Sequence, residues 1–193
     1  MNKVFCLAAA VSMLFLFGCL QIPQGLNEDE PLKKVPQGNT ELTFSAEQVI
    51  DGPFLLVDGL STQKALAGRI GELLKQSGAF KKVEYRPFSR RGAFHIHFTA
   101  HYFTELRREP VLAAGLIGIP FRIPSYLDMT AIVYKNDKAV YCPTVSDGMH
   151  NYVWVVFLPA GLVWNSWWAW ATQERKCARI LVNRITGHQP ALQ

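Results

Sequence analysis

From Ala93 to Phe103 the chain alternates: Phe94, Ile96, Phe98, Ala100 and Tyr102 fall on one side of an extended segment, and His95, His97, Thr99 and His101 on the other. Successive side chains of a strand point to opposite faces, so this segment can bury one face and leave the other polar. That is the pattern of an antiparallel sheet covered on one side. The remaining chain must therefore supply neighbouring strands and a cover.

Both can be found. Ser61 is a good N-cap for a helix over about 62–76, where Leu66, Ile70, Leu73 and Leu74 recur at helical spacing and Gly78 follows as a C-cap. A second helix is predicted from about Ser166 to Ile185, with Ala171, Ala178, Leu181 and Ile185 on one stripe. Short strands are expected at Pro53–Asp58 and Lys81–Pro87, and Tyr126–Tyr134 and Lys138–Val145 flank a tight turn at Asn136-Asp137. This order predicts an α+β fold: a two-layer domain, a mainly antiparallel sheet with two helices on one face.

The N-terminus has a different logic. Lys3 gives a positive start, Val4–Phe17 is an apolar run with one serine, and Gly18-Cys19 closes it. A charged start, an apolar middle and a small residue before the cut make a secretory signal, too short to span a bilayer comfortably. Leu20–Thr40 holds three prolines, the acidic run Glu28-Asp29-Glu30 and Lys33-Lys34, with no apolar period. It is expected to be a flexible tether reaching on the order of 65 Å when extended. The expected division is signal peptide 1–18, lipidated Cys and tether 19–40, and domain 41–193.

Leu16-Phe17-Gly18-Cys19 resembles the lipobox of bacterial lipoproteins, with Phe17 standing where a smaller residue is usual. The resemblance implies that Cys19 carries a diacylglyceryl thioether and an N-acyl chain such as palmitate, a multi-chain and persistent anchor. Leu20 and Gln21 follow the Cys, with no Asp to retain it at the inner membrane, which implies the outer membrane of a Gram-negative cell and a domain facing the periplasm. The body is similar to small Gram-negative lipoproteins with a compact α/β domain, many without known activity. That likeness runs over about residues 54–185, through Leu73–Val83, Gly118-Ile119-Pro120, the hairpin, Phe157-Leu158-Pro159 and the final helix. It implies an accessory role in envelope transport or secretion, and only Cys19 is carried over as a functional residue.

Removing the signal leaves 175 residues, with 19 basic against 15 acidic side chains. This mild excess does not point to nucleic acid, although anionic head groups could be attracted. Cys6 leaves with the signal and Cys19 takes lipid, so Cys142 and Cys177 remain as candidates for one disulfide or as two separate thiols.

Three further patterns bear on chemistry. His95 and His97 share a strand face and are weak candidates for a metal, whereas His101 stands about 13 Å farther along than His97 and cannot join them. No nucleophile, zinc-protease or phosphate-loop motif is present, so neither catalysis nor a cofactor is expected. Arg86, Arg90, Arg91, Arg107 and Arg108 beside loops could pair with lipid or lipopolysaccharide phosphates, or form a solvated rim.

All five tryptophans fall in or near one uncharged stretch, Asn151–Gln173: Trp154, Trp164, Trp167, Trp168 and Trp170. It can be core, a membrane- or partner-contacting patch, or a spanning helix that would make this an inner-membrane protein. The sequence reading is thus a non-catalytic accessory or scaffold lipoprotein of the cell envelope with an envelope protein partner. A lipid- or lipopolysaccharide-binding module is the alternative.

Overall fold

The structure, a computed structural model, describes residues 18–25, 29–36, 38–51, 63–87, 93–104, 121–154 and 166–192. The elements in order are β1 (Gly18–Pro23), β2 (Glu41–Asp51), α1 (Gln63–Gln76), β3 (Lys82–Tyr85), β4 (Phe94–Thr104), β5 (Phe121–Lys135), β6 (Lys138–Tyr141), β7 (Thr144–Trp154) and α2 (Ser166–Leu192).

All seven strands join one curled sheet, in the order β1-β7-β5-β4-β2-β3 with β6 also on β5. The α+β expectation holds, but the sheet is mixed. β2 runs parallel to both β3 and β4, and the remaining pairs are antiparallel. The parallel pair β2–β3 follows from connectivity, because α1 carries the chain back between them in a βαβ crossover. β2 is a strand that the sequence reading does not include, and the expected strand at Pro53–Asp58 lies outside the described residues.

Alternation builds the core. Phe94, Ile96, Phe98, Ala100 and Tyr102 are all buried, as are Leu42, Phe44 and Ala46 on β2 and Leu127, Met129, Ala131 and Val133 on β5. Leu66, Ile70, Leu73 and Leu74 of α1 and Cys177, Ala178, Leu181 and Ile185 of α2 join the same cluster. Each large apolar side chain so buried contributes about 1.5–3 kcal/mol, while an exposed ion pair contributes about 0–1 kcal/mol. The core therefore decides the fold. A Cβ on Gly71 would stand 2.9 Å from Cζ of Phe44, so the glycine lets α1 lie close to β2.

The punctuation is as the sequence reads. Gly78 ends α1 in the left-handed region at φ 73°, and Asn136 and Asp137 turn β5 into β6 at φ 50° and 62°. The segment 138–145 divides at Cys142-Pro143 into β6 and the start of β7. The stretch 151–173 is not one helix: Asn151–Trp154 are strand, paired with β5 and β1, and α2 begins at Ser166. Among the described residues no helix is long and apolar enough to cross a membrane.

The N-terminal stretch expected to be a free tether is bound to the body. Gly18–Pro23 forms the sheet edge, with Cys19 opposite Val153, and Gln24 N donates to the Gly148 carbonyl at 2.8 Å. Farther on, Lys33 N donates to Asn183 Oδ1 at 2.8 Å, Asn183 Nδ2 donates to the Pro31 carbonyl at 2.9 Å, and Val35 N donates to the Ser77 carbonyl at 3.0 Å. Residues 29–36 thus form a strap across both helices. Backbone groups do this work, which is why a segment without apolar period can still dock.

Candidate functional site

Among the described residues, the acidic side chains of Asp147 and Glu174 are buried. Glu174 of α2 is fully buried; its Oε2 takes the Arg69 guanidinium from α1 and its Oε1 accepts from the Tyr102 hydroxyl at 2.7 Å. The Tyr102 ring meets Trp170 edge-on, centroids 5.3 Å apart. Burial first, then the Glu174 charge, push the Tyr102 hydroxyl far above the ordinary tyrosine range, so it stays a donor. Asp147 lies on the core face of β7 between Val145 and Met149, with Lys176 Nζ 2.9 Å from Oδ2 and Gly148 N donating to Oδ1 at 2.9 Å. Both carboxylates tie a helix in place.

Above the Arg69–Glu174 pair a cleft of about 440 Å³ opens between the two helices and the strap. Arg69, Glu72, Leu73 and Gln76 line it from one side of α1, at the i, i+3, i+4 and i+7 spacing of a helix face, and Arg175 and Arg179 line it from α2, four apart. Pro31 and Leu32 of the strap close the third wall. Three guanidinium groups and one carboxylate, Glu72, are among the lining side chains. Arg179 pairs with Asp29 of the strap at 2.8 Å. Arg175 makes no ion pair among the described residues, and the buried Nε of Arg69 meets no acceptor among them. Sequence reading missed this group. The four-residue spacing of Arg175 and Arg179 on the expected helix was the available signal, but nothing local shows that Arg69 faces them.

The residues singled out from sequence are placed differently. His95 is buried rather than on a wet face. Its Nδ1 lies 2.9 Å from Thr43 Oγ1 and its Nε2 3.0 Å from Ser45 Oγ, which is in turn 2.7 Å from His97 Nδ1. Hydroxyls on β2 occupy the imidazole positions a metal would need. Farther along, His101 Nε2 stands 2.5 Å from Asp51 Oδ2. Among the described residues no group of three His, Cys, Asp or Glu side chains could hold a metal.

Cys142 and Cys177 are not brought together: both are free, Cys142 exposed between β6 and β7 and Cys177 buried on the core side of α2. Burial, then the nearby Asp147 carboxylate, push the Cys177 thiol up to about 12. Trp170 is core, at 3% exposure, and offers no contact surface. Trp154, Trp167 and Trp168 have their backbone in β7 and α2; Trp164 lies outside the described residues. Arg86 pairs with Glu84 and holds that carboxyl below its usual range, first through the side-chain hydrogen bond. Arg90, Arg91, Arg107 and Arg108 lie outside the described residues. Cys19 stands on the edge strand, opposite Val153.

No protein-family model matches the chain, and no curated protein matches it. Among solved structures, it is similar to a Xanthomonas campestris protein of the DUF330 family, with 10% identity, coverage of 84% of this chain and 95% of that one, and a TM-score of 0.43. It is also similar to the PelC dodecamer from Paraburkholderia phytofirmans, with 10% identity, 86% and 95% coverage, and a TM-score of 0.38. A third likeness is to a Helicobacter pylori protein described as a homolog of a neuraminyllactose-binding hemagglutinin, with 10% identity, 84% and 89% coverage, and a TM-score of 0.44.

Proposed function

We propose that this chain is an outer-membrane lipoprotein acylated at Cys19, whose periplasmic domain, a sheet layer backed by a helix layer, serves as a non-catalytic accessory or scaffold in envelope assembly or transport. The observation that carries the reading is the position of Cys19 in β1, hydrogen-bonded into the sheet. An anchor there holds the domain against the leaflet instead of at the end of a long tether. The same end of the sheet contains the last residues of β2, β4 and β7 and the first of β5, since Cys19, Val153 and Phe121 are in register. The connections leaving that end include the uncharged runs 111–121 and 155–165. Those runs are apolar in sequence, and acyl chains on Cys19 would leave from the end of the sheet where the flanking strands stop, which suits a bilayer or a membrane-embedded partner.

Intact mass and membrane fractionation of the wild type and Cys19→Ala test the anchor. The expected result is a mature mass beginning at Cys19 plus acyl chains, with outer-membrane recovery lost in the variant. An unmodified chain, or recovery indifferent to the substitution, refutes it. For the accessory role, crosslinking in cells should capture a specific envelope protein; its absence counts against a scaffold.

The second reading, a module that binds lipid or lipopolysaccharide, has one specific observation in its favour: the arginine-lined cleft between the helices. Recovery of bound lipid with the purified protein would support it.

A further inference from the structure

We propose that the cleft between α1 and α2 binds a phosphate-type oxyanion carried on a small amphiphilic molecule, with Arg175 as its main partner and Arg69 and Arg179 completing the donor set. The proposal deepens the lipid-binding reading above and is independent of acylation at Cys19.

Three guanidinium groups converge here, and one of them is left without a carboxylate among the described residues. Arg175 makes no ion pair among the described residues, and Arg69, which uses Nη2 for Glu174, has a buried Nε–H with no acceptor among them. A guanidinium presents five donors in a rigid fork and favours planar or tetrahedral oxyanions, so the open fork of Arg175, with the charges of Arg69 and Arg179 beside it, defines what the cleft accepts. Arg179 is engaged by Asp29, but that carboxylate is 64% exposed. So exposed a pair is weak, and a ligand oxyanion can displace it. The Asp29 contact itself shows that a carboxylate reaches this wall.

Size and lining set the rest of the ligand. At about 440 Å³ the cleft matches small-molecule sites and exceeds a lone phosphate. Leu73 and Leu32 add an apolar part to its lining. Two sources share this chemistry, a phospholipid head group and free phosphate.

Isothermal titration of the intact chain in a non-ionic detergent, with inorganic phosphate and separately with dihexanoyl phosphatidylglycerol, tests the site. We expect saturable one-to-one binding that weakens as salt rises. Arg175→Ala should weaken it by about tenfold or more, the loss of a charge-assisted contact. Glu72→Gln, which removes the opposing carboxylate, should tighten it. Both positions are exposed on their helices, so neither change threatens folding. Phosphatidylglycerol binding far above phosphate assigns the head group as ligand; equal binding keeps the oxyanion site and overturns the amphiphilic carrier. Binding unchanged in both variants overturns the cleft and leaves the lipid-binding reading standing elsewhere on the protein. Failure of both probes to bind overturns the cleft, whereas the lipid-binding reading falls only if the purified protein also carries no bound lipid.

Discussion

Arg69 and Glu174, 105 residues apart, lock α1 to α2 through an ion pair whose acidic partner is fully buried and whose basic partner borders a cleft. The same carboxylate takes the Tyr102 hydroxyl, so one side chain ties both helices to the central strand β4. Removing one partner of a buried pair leaves an uncompensated charge, at about 3–5 kcal/mol. Glu174→Ala should lower stability by about that much, read as a shifted urea midpoint with unchanged slope. Replacing Arg69 and Glu174 together with methionine should recover only part of the loss, since a packed apolar pair of similar volume is tolerated but the buried Tyr102 hydroxyl still loses its acceptor.

The β5–β6 turn offers a gain. Asn136 and Asp137 both hold positive φ, which suits the two central residues of a tight hairpin turn, where Asn-Gly is the favoured sequence. Asp137→Gly removes the steric cost of a Cβ in the left-handed region. It should stabilise the protein by about 0.5–1 kcal/mol and raise Tm by a few degrees.

The two cysteines of the domain should react at very different rates. The Cys142 thiol is exposed, whereas that of Cys177 is enclosed and pushed up to about 12, which suppresses its thiolate. Brief maleimide treatment of native protein, read by peptide mass, should label the Cys142 peptide and spare the Cys177 peptide. Denaturation should expose both. Equal native labelling would contradict the burial described.

His150 gives a pH dependence with a defined sign. Its Nε2 accepts from Arg122 at 2.5 Å and its Nδ1 lies 2.9 Å from the Gln24 amide. Desolvation, then the Arg122 charge, lower its pKa from 6.5. The unfolded chain therefore binds more protons than the folded one around that value. Stability is unaffected above it and falls as the pH drops through 6.5 and below. Across pH 8 to 5, urea midpoints of the wild type should decline more than those of His150→Gln.

What the sequence disclosed was what local spacing can encode. β4 and α1 follow from apolar periods, and the 136–137 turn and Gly78 from backbone demands met within a few residues. β2 went unseen although Leu42, Phe44 and Ala46 alternate, because that face continues into Gln48 and the run is short. The parallel sense of β2 against β4 depends on how distant strands sort in the sheet. His95 looked wet because its alternation is polar, yet its cover comes from Thr43 and Ser45 across the sheet. The cleft was illegible for the same reason: Asp29, Arg69 and Arg179 come from three separate regions. Cys142 and Cys177 were candidates for a bridge on count alone, and count cannot register that one faces solvent and the other the core.

The docking of the first described strand on the last one has a consequence for how the molecule comes into being. β1 pairs with β7, and residues 29–36 are fastened to Asn183, near the end of the final helix. A chain delivered N-terminus first cannot complete either contact until almost all of it has arrived. Contacts so distant in sequence slow folding and leave strand edges exposed meanwhile. The N-terminal segment must therefore wait as an open end, and the sheet edge closes only once β7 and α2 have been delivered.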